Sequence, residues 1–417
     1  MIILEKIGTL LTLSGAAQKG GRRVLESDLG IFRDYSMIFS QGKIQWLGPD
    51  KKIPKDFRKK IKKSISARDW TVMPGLIESH THSIFAGSRS AEFEMRLQGK
   101  SYQEIAANGG GILSTVKATR KESAGNLLRI TQQRVNHFLA QGVSTLEIKT
   151  GYALDEKNEL KLLKTIRSLQ GPKIISSFLA AHAIPPEFKN ENDYLEFLMQ
   201  KVFPKLKPKS AKKGLADRVD IFIEKGFFSS AAGKKYLTAA KQLGLPTTIH
   251  ADQLTLSGGT DLAIELQSQS ADHVIQIGDK EIAKLAKSDV TAGLLPVADI
   301  YMKCPFPPAR KMIDAGVRVA LATDFNPGTC PSMDINLVGL IARLEMKMSL
   351  PEVISAYTVG AAHALGLAEM TGSLEIGKSA DFLCTKNEWT DLFYSPGISF
   401  IENVFVEGRP SLMQKYK

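Results

Sequence analysis

The chain has 417 residues, of which 43% are hydrophobic and 24% charged, with 34 glycines, 18 prolines and a formal net charge of +12. These proportions exclude a disordered or low-complexity polypeptide and leave room for a barrel of about 250 residues with a smaller companion. The positive charge admits nucleic-acid or acidic-surface binding as a class, so its distribution has to decide.

Residues 1–17 are mildly apolar but carry Glu5 and Lys6, too short and interrupted a stretch for a membrane span or a secretory signal. A cytoplasmic protein is expected, and three widely spaced cysteines, Cys304, Cys330 and Cys384, fit a reducing compartment. Residues 35–39 and 43–47 alternate around Gln41-Gly42, a hairpin signal, so the start of the chain reads as all-β. Lysine and arginine then crowd residues 51–63, and a second basic run follows at 201–213 beside Pro204 and Pro208. Neither run interleaves aromatic residues as a base-stacking platform would, so solvated surface is the better reading of both.

From residue 72 to 324, β-branched apolar runs alternate with helical patterns, the signature of parallel βαβ units. Eight runs are expected as strands: 72–79, 144–149, 174–181, 219–224, 247–251, 272–277, 290–296 and 317–323. Helices are expected between them, including 125–140, 156–169, 231–243, 260–269 and 280–286. The fold class that follows is α/β, a (β/α)8 TIM-like barrel over 69–365. A small flanking β-sandwich built from both chain ends, 1–68 and 366–417, accompanies it. A doubly wound open sheet is the alternative, but Gly109-Gly110-Gly111 is followed by Ile112-Leu113-Ser114 and lacks the spacing of a dinucleotide fingerprint.

In such a barrel the loops after the strands build the site. His80 and His82 follow the first run, His182 the third, His250 the fifth, His273 the sixth and Asp324 the eighth. One histidine at a strand end is more often structural, whereas four strand ends bearing histidine and one bearing aspartate point to a shared site. His80 and His82, one residue apart, project to one face. Three imidazoles and a carboxylate suit Zn²⁺ or non-haem iron and leave room for a water whose pKa the ion lowers. Asp324 is then a candidate proton acceptor, and His273 a group that holds the attacking water. The Asn326-Pro327-Gly328-Thr329 stretch reads as a loop whose backbone N–H groups could hold an anion, or as an ordinary Pro-Gly turn. Cys330 beside it is assigned to packing.

The segment from Pro74 to His82, Pro-Gly-Leu-Ile-Glu-Ser-His-Thr-His, together with His250, His273 and Asp324, resembles the amidohydrolase superfamily. More narrowly, Phe85-Ala-Gly-Ser-Arg89, Gly109-Gly-Gly-Ile-Leu-Ser-Thr115, Glu147-Ile-Lys-Thr-Gly-Tyr152, Ala181-His-Ala-Ile-Pro-Pro-Glu187, His250-Ala-Asp-Gln253, Ser270-Ala-Asp-His273 and Asp324-Phe-Asn-Pro-Gly-Thr329 resemble the imidazolonepropionases, nearly end to end. The resemblance implies hydrolytic opening of the lactam of imidazolone propanoate to formimidoyl glutamate in histidine breakdown. It implies one Zn²⁺ or Fe³⁺ per subunit, held by His80, His82, His250 and Asp324. It implies substrate or product contacts from Arg89, Tyr152, His182, Gln253, Asn326, Gly328 and Thr329, and a homodimer. Arg89 suits a carboxylate through its two-pronged guanidinium, with an ion pair to Glu92 or Glu94 as the plain alternative.

Gln253 stands where related aminohydrolases carry a proton-shuttling glutamate, and glutamine cannot ionise. That weakens a deaminase reading and places proton transfer on Asp324 and His273. Lys225, in Ile223-Glu224-Lys225-Gly226, keeps open a bridging lysine for a second metal, although one metal is favoured. Val297 departs from the glycine expected there, which leaves the cavity's shape open. The rivals are another one-metal amidohydrolase, either a heterocycle deaminase or a cyclic amidase, and a basic nucleic-acid-binding protein with an inactive barrel. The expected partner is a small-molecule substrate, with neither nucleic acid nor membrane.

Overall fold

A computed structural model describes residues 1–100, 104, 110–207 and 214–413. Gly109 of the triple-glycine motif and Pro208, Lys209, Lys212 and Lys213 of the second basic run lie outside the described residues. The amino-terminal part forms β1 (Ile2–Ile7), β2 (Thr9–Leu11), β3 (Ile31–Phe32), β4 (Tyr35–Ser40), β5 (Lys43–Pro49), β6 (Lys63–Ser66) and β7 (Thr71–Pro74). The barrel strands follow as β8 (Leu76–Glu78), β9 (Val143–Lys149), β10 (Lys173–Ala181), β11 (Arg218–Ile223), β12 (Thr248–Ala251), β13 (Ser270–His273), β14 (Thr291–Leu294) and β15 (Val319–Leu321). The carboxyl end adds β16 (Phe382–Thr385), β17 (Ile401–Val406) and β18 (Arg409–Met413).

The hairpin read from the sequence is β4 and β5, antiparallel across Gln41 and Gly42. Both turn residues have positive φ, 51° and 79°, the backbone that lets two twisted strands meet through a two-residue link. One flanking sheet has the order β5-β4-β1-β6 and the other β18-β17-β16-β7-β2-β3, so strands from both chain ends share the second. Phe39, Phe382 and Phe405 pack in the core they bury, with Phe382 and Phe405 stacked at 4.4 Å between centroids.

The run expected over 72–79 divides at Gly75. Val72 and Met73 pair with Cys384 and Leu383 in the flanking sheet. Beyond Gly75 the backbone changes partner: Gly75 N–H donates to Asp381 O and Leu76 N–H to Gly142 O. A Cβ on Gly75 would meet Ser144 Oγ at 2.3 Å, so only glycine passes between the two layers.

Strands β8 to β15 pair in sequence order, all parallel. Alternating helices cover them; Ala124–Ala140, Glu156–Ile166 and Ser230–Gln242 each begin on a side-chain cap from Ser123, Asp155 or Ser229. The ring closes just past the strand ends. His82 N–H donates to Phe325 O at 2.9 Å and Asp324 N–H to His80 O at 3.1 Å. The buried Glu78 carboxylate accepts from the N–H groups of His80 and Thr323, each at 3.2 Å. Closure therefore sets the first and eighth strand ends side by side. Among the described residues no helix is long and apolar enough to cross a membrane.

Candidate metal centre and substrate cavity

Three of the strand-end histidines, His80, His82 and His250, converge with one ring nitrogen each, all within 4.8 Å of one another and all buried. His82 Nε2 lies 3.4 Å from His250 Nε2 and 3.4 Å from Asp324 Oδ1, and His80 Nε2 lies 3.5 Å from the same oxygen. Tetrahedral donors about 2.0–2.1 Å from a zinc ion stand about 3.4 Å apart, so these spacings fit one cation. The donor chemistry agrees. His80 Nδ1 is hydrogen-bonded to Asp272 Oδ2 at 2.7 Å and His250 Nδ1 to Asp220 Oδ1 at 3.2 Å. A carboxylate only accepts, so each Nδ1 carries a proton and each Nε2 is turned toward the cluster. His80 Nε2 is buried without any hydrogen-bond partner. Burial first, then neighbouring positive groups, holds His80 and His82 well below the usual histidine range, so both rings are neutral near pH 7.

Two of these strand ends are strained. His273 has φ 76° and Asp324 φ 54°, left-handed backbone that non-glycine residues seldom adopt and that clusters where geometry serves a site. At His273, followed by Val274 at φ 45°, the backbone turns out of the sheet. The sixth strand therefore spans Ser270–His273 rather than the expected 272–277. His273 stands 5.3 Å from His250 between ring centroids, and burial lowers it to about 3. Asp324 is pushed up, chiefly by burial.

The metal cluster opens into a cavity of about 420 Å³ lined by His82, His182, His250, His273, Asp324, Tyr152, Arg89, Gln253, Asn326 and Thr329, with Phe222, Phe227, Leu254 and Met302 as apolar wall. The cavity lining thus includes every predicted site residue except His80, which belongs to the histidine cluster, and Gly328, which lies against Arg89. His182 stacks on His82 at 5.0 Å and accepts its orientation from Gly151 O, 3.3 Å from its Nδ1. Tyr152 packs 5.8 Å from His82, its hydroxyl pushed up by burial. Gln253 Nε2 contacts Met302 Sδ.

Arg89 uses Nε for Glu92 Oε2 at 2.8 Å, the ion pair weighed from the sequence, yet its guanidinium still lines the cavity. A Cβ on Gly328 would lie 2.0 Å from Arg89 Nη1, so the arginine rests directly on that glycine. The loop N–H groups of Gly328 and Thr329 donate to Asn326 Oδ1 at 2.9 and 2.7 Å. They are satisfied within the loop, and Asn326 would have to turn before they could serve an anion. Cys330 is buried with Sγ 3.1 Å from Thr323 O, in keeping with packing.

Lys225 is exposed, and among the described residues the single group able to hold a metal is His80, His82 and His250. Val297 packs in the main core. Sequence reading passed over Arg96, Asp220, Asp272 and Lys149. Arg96 donates to Gly328 O at 3.1 Å and lines the cavity beside Arg89. The available signal was charge at inward positions of buried strands, Glu147 and Lys149 on β9 and Asp272 on β13.

Residues 224–410 match the amidohydrolase family. The chain is 58% identical to an imidazolonepropionase of Bdellovibrio bacteriovorus, covering 98% of this chain and 96% of that protein. It is 38% identical to an imidazolonepropionase of Geobacillus kaustophilus, covering 98% and 97%. Its fold matches a zinc-bound adenosine deaminase from Xanthomonas campestris with a TM-score of 0.73 at 18% identity, covering 99% and 93%. It matches an atrazine chlorohydrolase from Arthrobacter aurescens complexed with zinc with a TM-score of 0.67 at 15% identity, covering 98% and 95%. At those identities the two structures speak for the barrel architecture alone.

Proposed function

The chain belongs to the imidazolonepropionase family of amidohydrolases, and from that premise we propose that its cavity binds imidazolone propanoate and opens the ring's amide C–N bond to give formimidoyl glutamate. It is a metal-dependent hydrolase of a cyclic amide. The observation that carries the site reading is the convergence of three imidazole nitrogens and the Asp324 carboxylate at spacings of about 3.4 Å. His80, His82, His250 and Asp324 would hold one Zn²⁺ or Fe³⁺ per subunit, since imidazole and carboxylate suit both. When bound, the ion supplies Lewis acidity, lowering the pKa of a water and polarising a carbonyl.

The chain's own groups supply the rest. Arg89 keeps both Nη groups for the propanoate carboxylate while Glu92 steadies Nε. Tyr152 and His182, packed against His82, bracket the ring; with Nδ1 turned to Gly151 O, His182 offers Nε2 to a ring N–H. His273, neutral and with Nδ1 unpartnered, orients the attacking water. Asp324 accepts the proton that water gives up as its oxygen joins the ring carbonyl carbon, then returns it to the departing nitrogen. Gln253 cannot ionise and serves as a hydrogen-bonding wall. Asn326, Gly328 and Thr329 shape the end of the cavity where Arg89 rests and contact substrate or product.

We further infer a two-domain organisation, with 1–68 and 366–417 as the flanking β unit and 69–365 as the barrel. A homodimer in the cytoplasm completes the reading. The family resemblance supports the dimer and three free cysteines the compartment; light scattering tests the former.

Following the loss of absorbance of freshly made imidazolone propanoate, with metal content measured in parallel, tests the function. Chelation should abolish turnover and Zn²⁺ or Fe³⁺ should restore it. His80→Ala that retained both metal and full turnover would overturn the ligand assignment.

A further inference from the structure

Beneath the histidines lies a line of buried charge with no part in the roles above. Lys149, at the end of β9, is fully buried, and its Nζ stands 2.8 Å from Glu147 Oε1, 2.8 Å from Asp220 Oδ2 and 4.0 Å from Asp272 Oδ2. The same two aspartates reach the metal cluster: Asp220 through His250 Nδ1 and Asp272 through His80 Nδ1. The connection therefore runs His80, Asp272, Lys149, Asp220, His250, drawing on five different strands or strand ends of the barrel.

We propose that Lys149 is the positioning residue of the metal centre, its one ammonium fixing the Asp220 and Asp272 carboxylates so that His80 and His250 both present Nε2 lone pairs to the same ion. The inference rests on the metal reading given above. Lys149 Nζ donates to Glu147 Oε1 and stands in ion-pair contact with Asp220 Oδ2, both at 2.8 Å, while Asp272 Oδ2 lies 4.0 Å away, so one cationic head faces both carboxylates that hold His80 and His250. An ammonium has three donors and accepts nothing, and its compact head fits among groups from three strands where the planar fork of arginine would need more space. Glu147 completes the seat, itself held by Ser177 Oγ and by Thr81 N–H, the residue between the two ligand histidines. Lys149 N–H also donates to Thr81 O at 2.9 Å, so the lysine and the His80-Thr81-His82 turn are tied through both backbone and side chain.

The test titrates metal-free protein with Zn²⁺ and with Co²⁺ against a chromophoric chelator, in Lys149→Met and in Glu147→Gln/Lys149→Met, which removes one charge of each sign. A folded variant should lose about 10- to 100-fold in Zn²⁺ affinity, and the visible spectrum of its Co²⁺ form should change. A folded variant that binds Zn²⁺ as tightly as the native chain, with an unaltered Co²⁺ spectrum, overturns the proposal. If neither variant folds, Asp220→Asn and Asp272→Asn decide it with Lys149 in place. Coupling of about 5-fold or more in Zn²⁺ affinity sustains a shared clamp, and additive losses overturn it. A native chain that binds neither metal would instead overturn the metal reading, leaving the two failures distinct.

Discussion

Replacing Gly328 with alanine tests the carboxylate grip without touching a titratable group. The new methyl would stand 2.0 Å from Arg89 Nη1 and 2.6 Å from its Cζ, whereas ordinary contact begins near 3.4 Å, so the guanidinium must retreat by about 1.4 Å. Because the obstructing atoms are the end of a flexible side chain bordering a cavity, the fold can give way there, and the stability cost should stay below about 1 kcal/mol. The functional cost is larger. Arg89 Nε is anchored to Glu92 at 2.8 Å, so a retreat of that size breaks the anchor or misaligns the fork. A hydrogen bond to a charged group contributes about 1.5–3 kcal/mol, which corresponds to roughly 10- to 150-fold in affinity. The absorbance assay should therefore show KM rising by about 10- to 100-fold with metal content unchanged. A Gly328→Ala protein with native KM would refute the placement of the substrate carboxylate at Arg89, and one that lost its metal would refute the separation of the two subsites.

Gly360→Ala probes the opposite case, since its methyl would lie 2.0 Å from the backbone oxygen of Val319, which cannot swing aside; denaturant unfolding should show about 1–3 kcal/mol of destabilisation, and a change under about 0.5 kcal/mol would contradict the packing. His363 is held down at about 4, first by burial and then by the charges of Arg318 and Arg22. With the folded value below the free value of about 6.5, the unfolded chain binds the proton more readily, so the neutral ring's contribution is complete above about pH 6.5 and is lost as pH falls toward 4. The ring is partly exposed, which limits the effect to about 1–2 kcal/mol. His363→Gln should flatten the decline of Tm across that window, and parallel declines in the two proteins would refute the assignment.

Much of the fold was legible because a buried parallel strand leaves a local mark, a short β-branched run ending in a polar residue, and β9 to β12 lie close to where those runs fall. His80 and His82 were readable as a pair for the same reason: a period of two places them on one face whatever surrounds them. The break at Gly75 was not readable, since Val72 and Ile77 are equally apolar and differ only in which strand lies alongside. Nor was the state of the Asn326 loop, where Gly328 and Thr329 donate inward to Asn326. A Pro-Gly turn and an anion-binding loop share the same residues and differ only in where the N–H groups point.

Residue order alone thus determined which groups could bind a cation and which end of each strand would carry them, because alternation and strand polarity act within a few residues. Ring closure determined the rest. It brought Asp324 from the eighth strand end to within 3.5 Å of His80, and set Lys149 between two aspartates from strands far apart in the chain. Lateral neighbours across a closed sheet are fixed by register and curvature, and neither is written in any single segment.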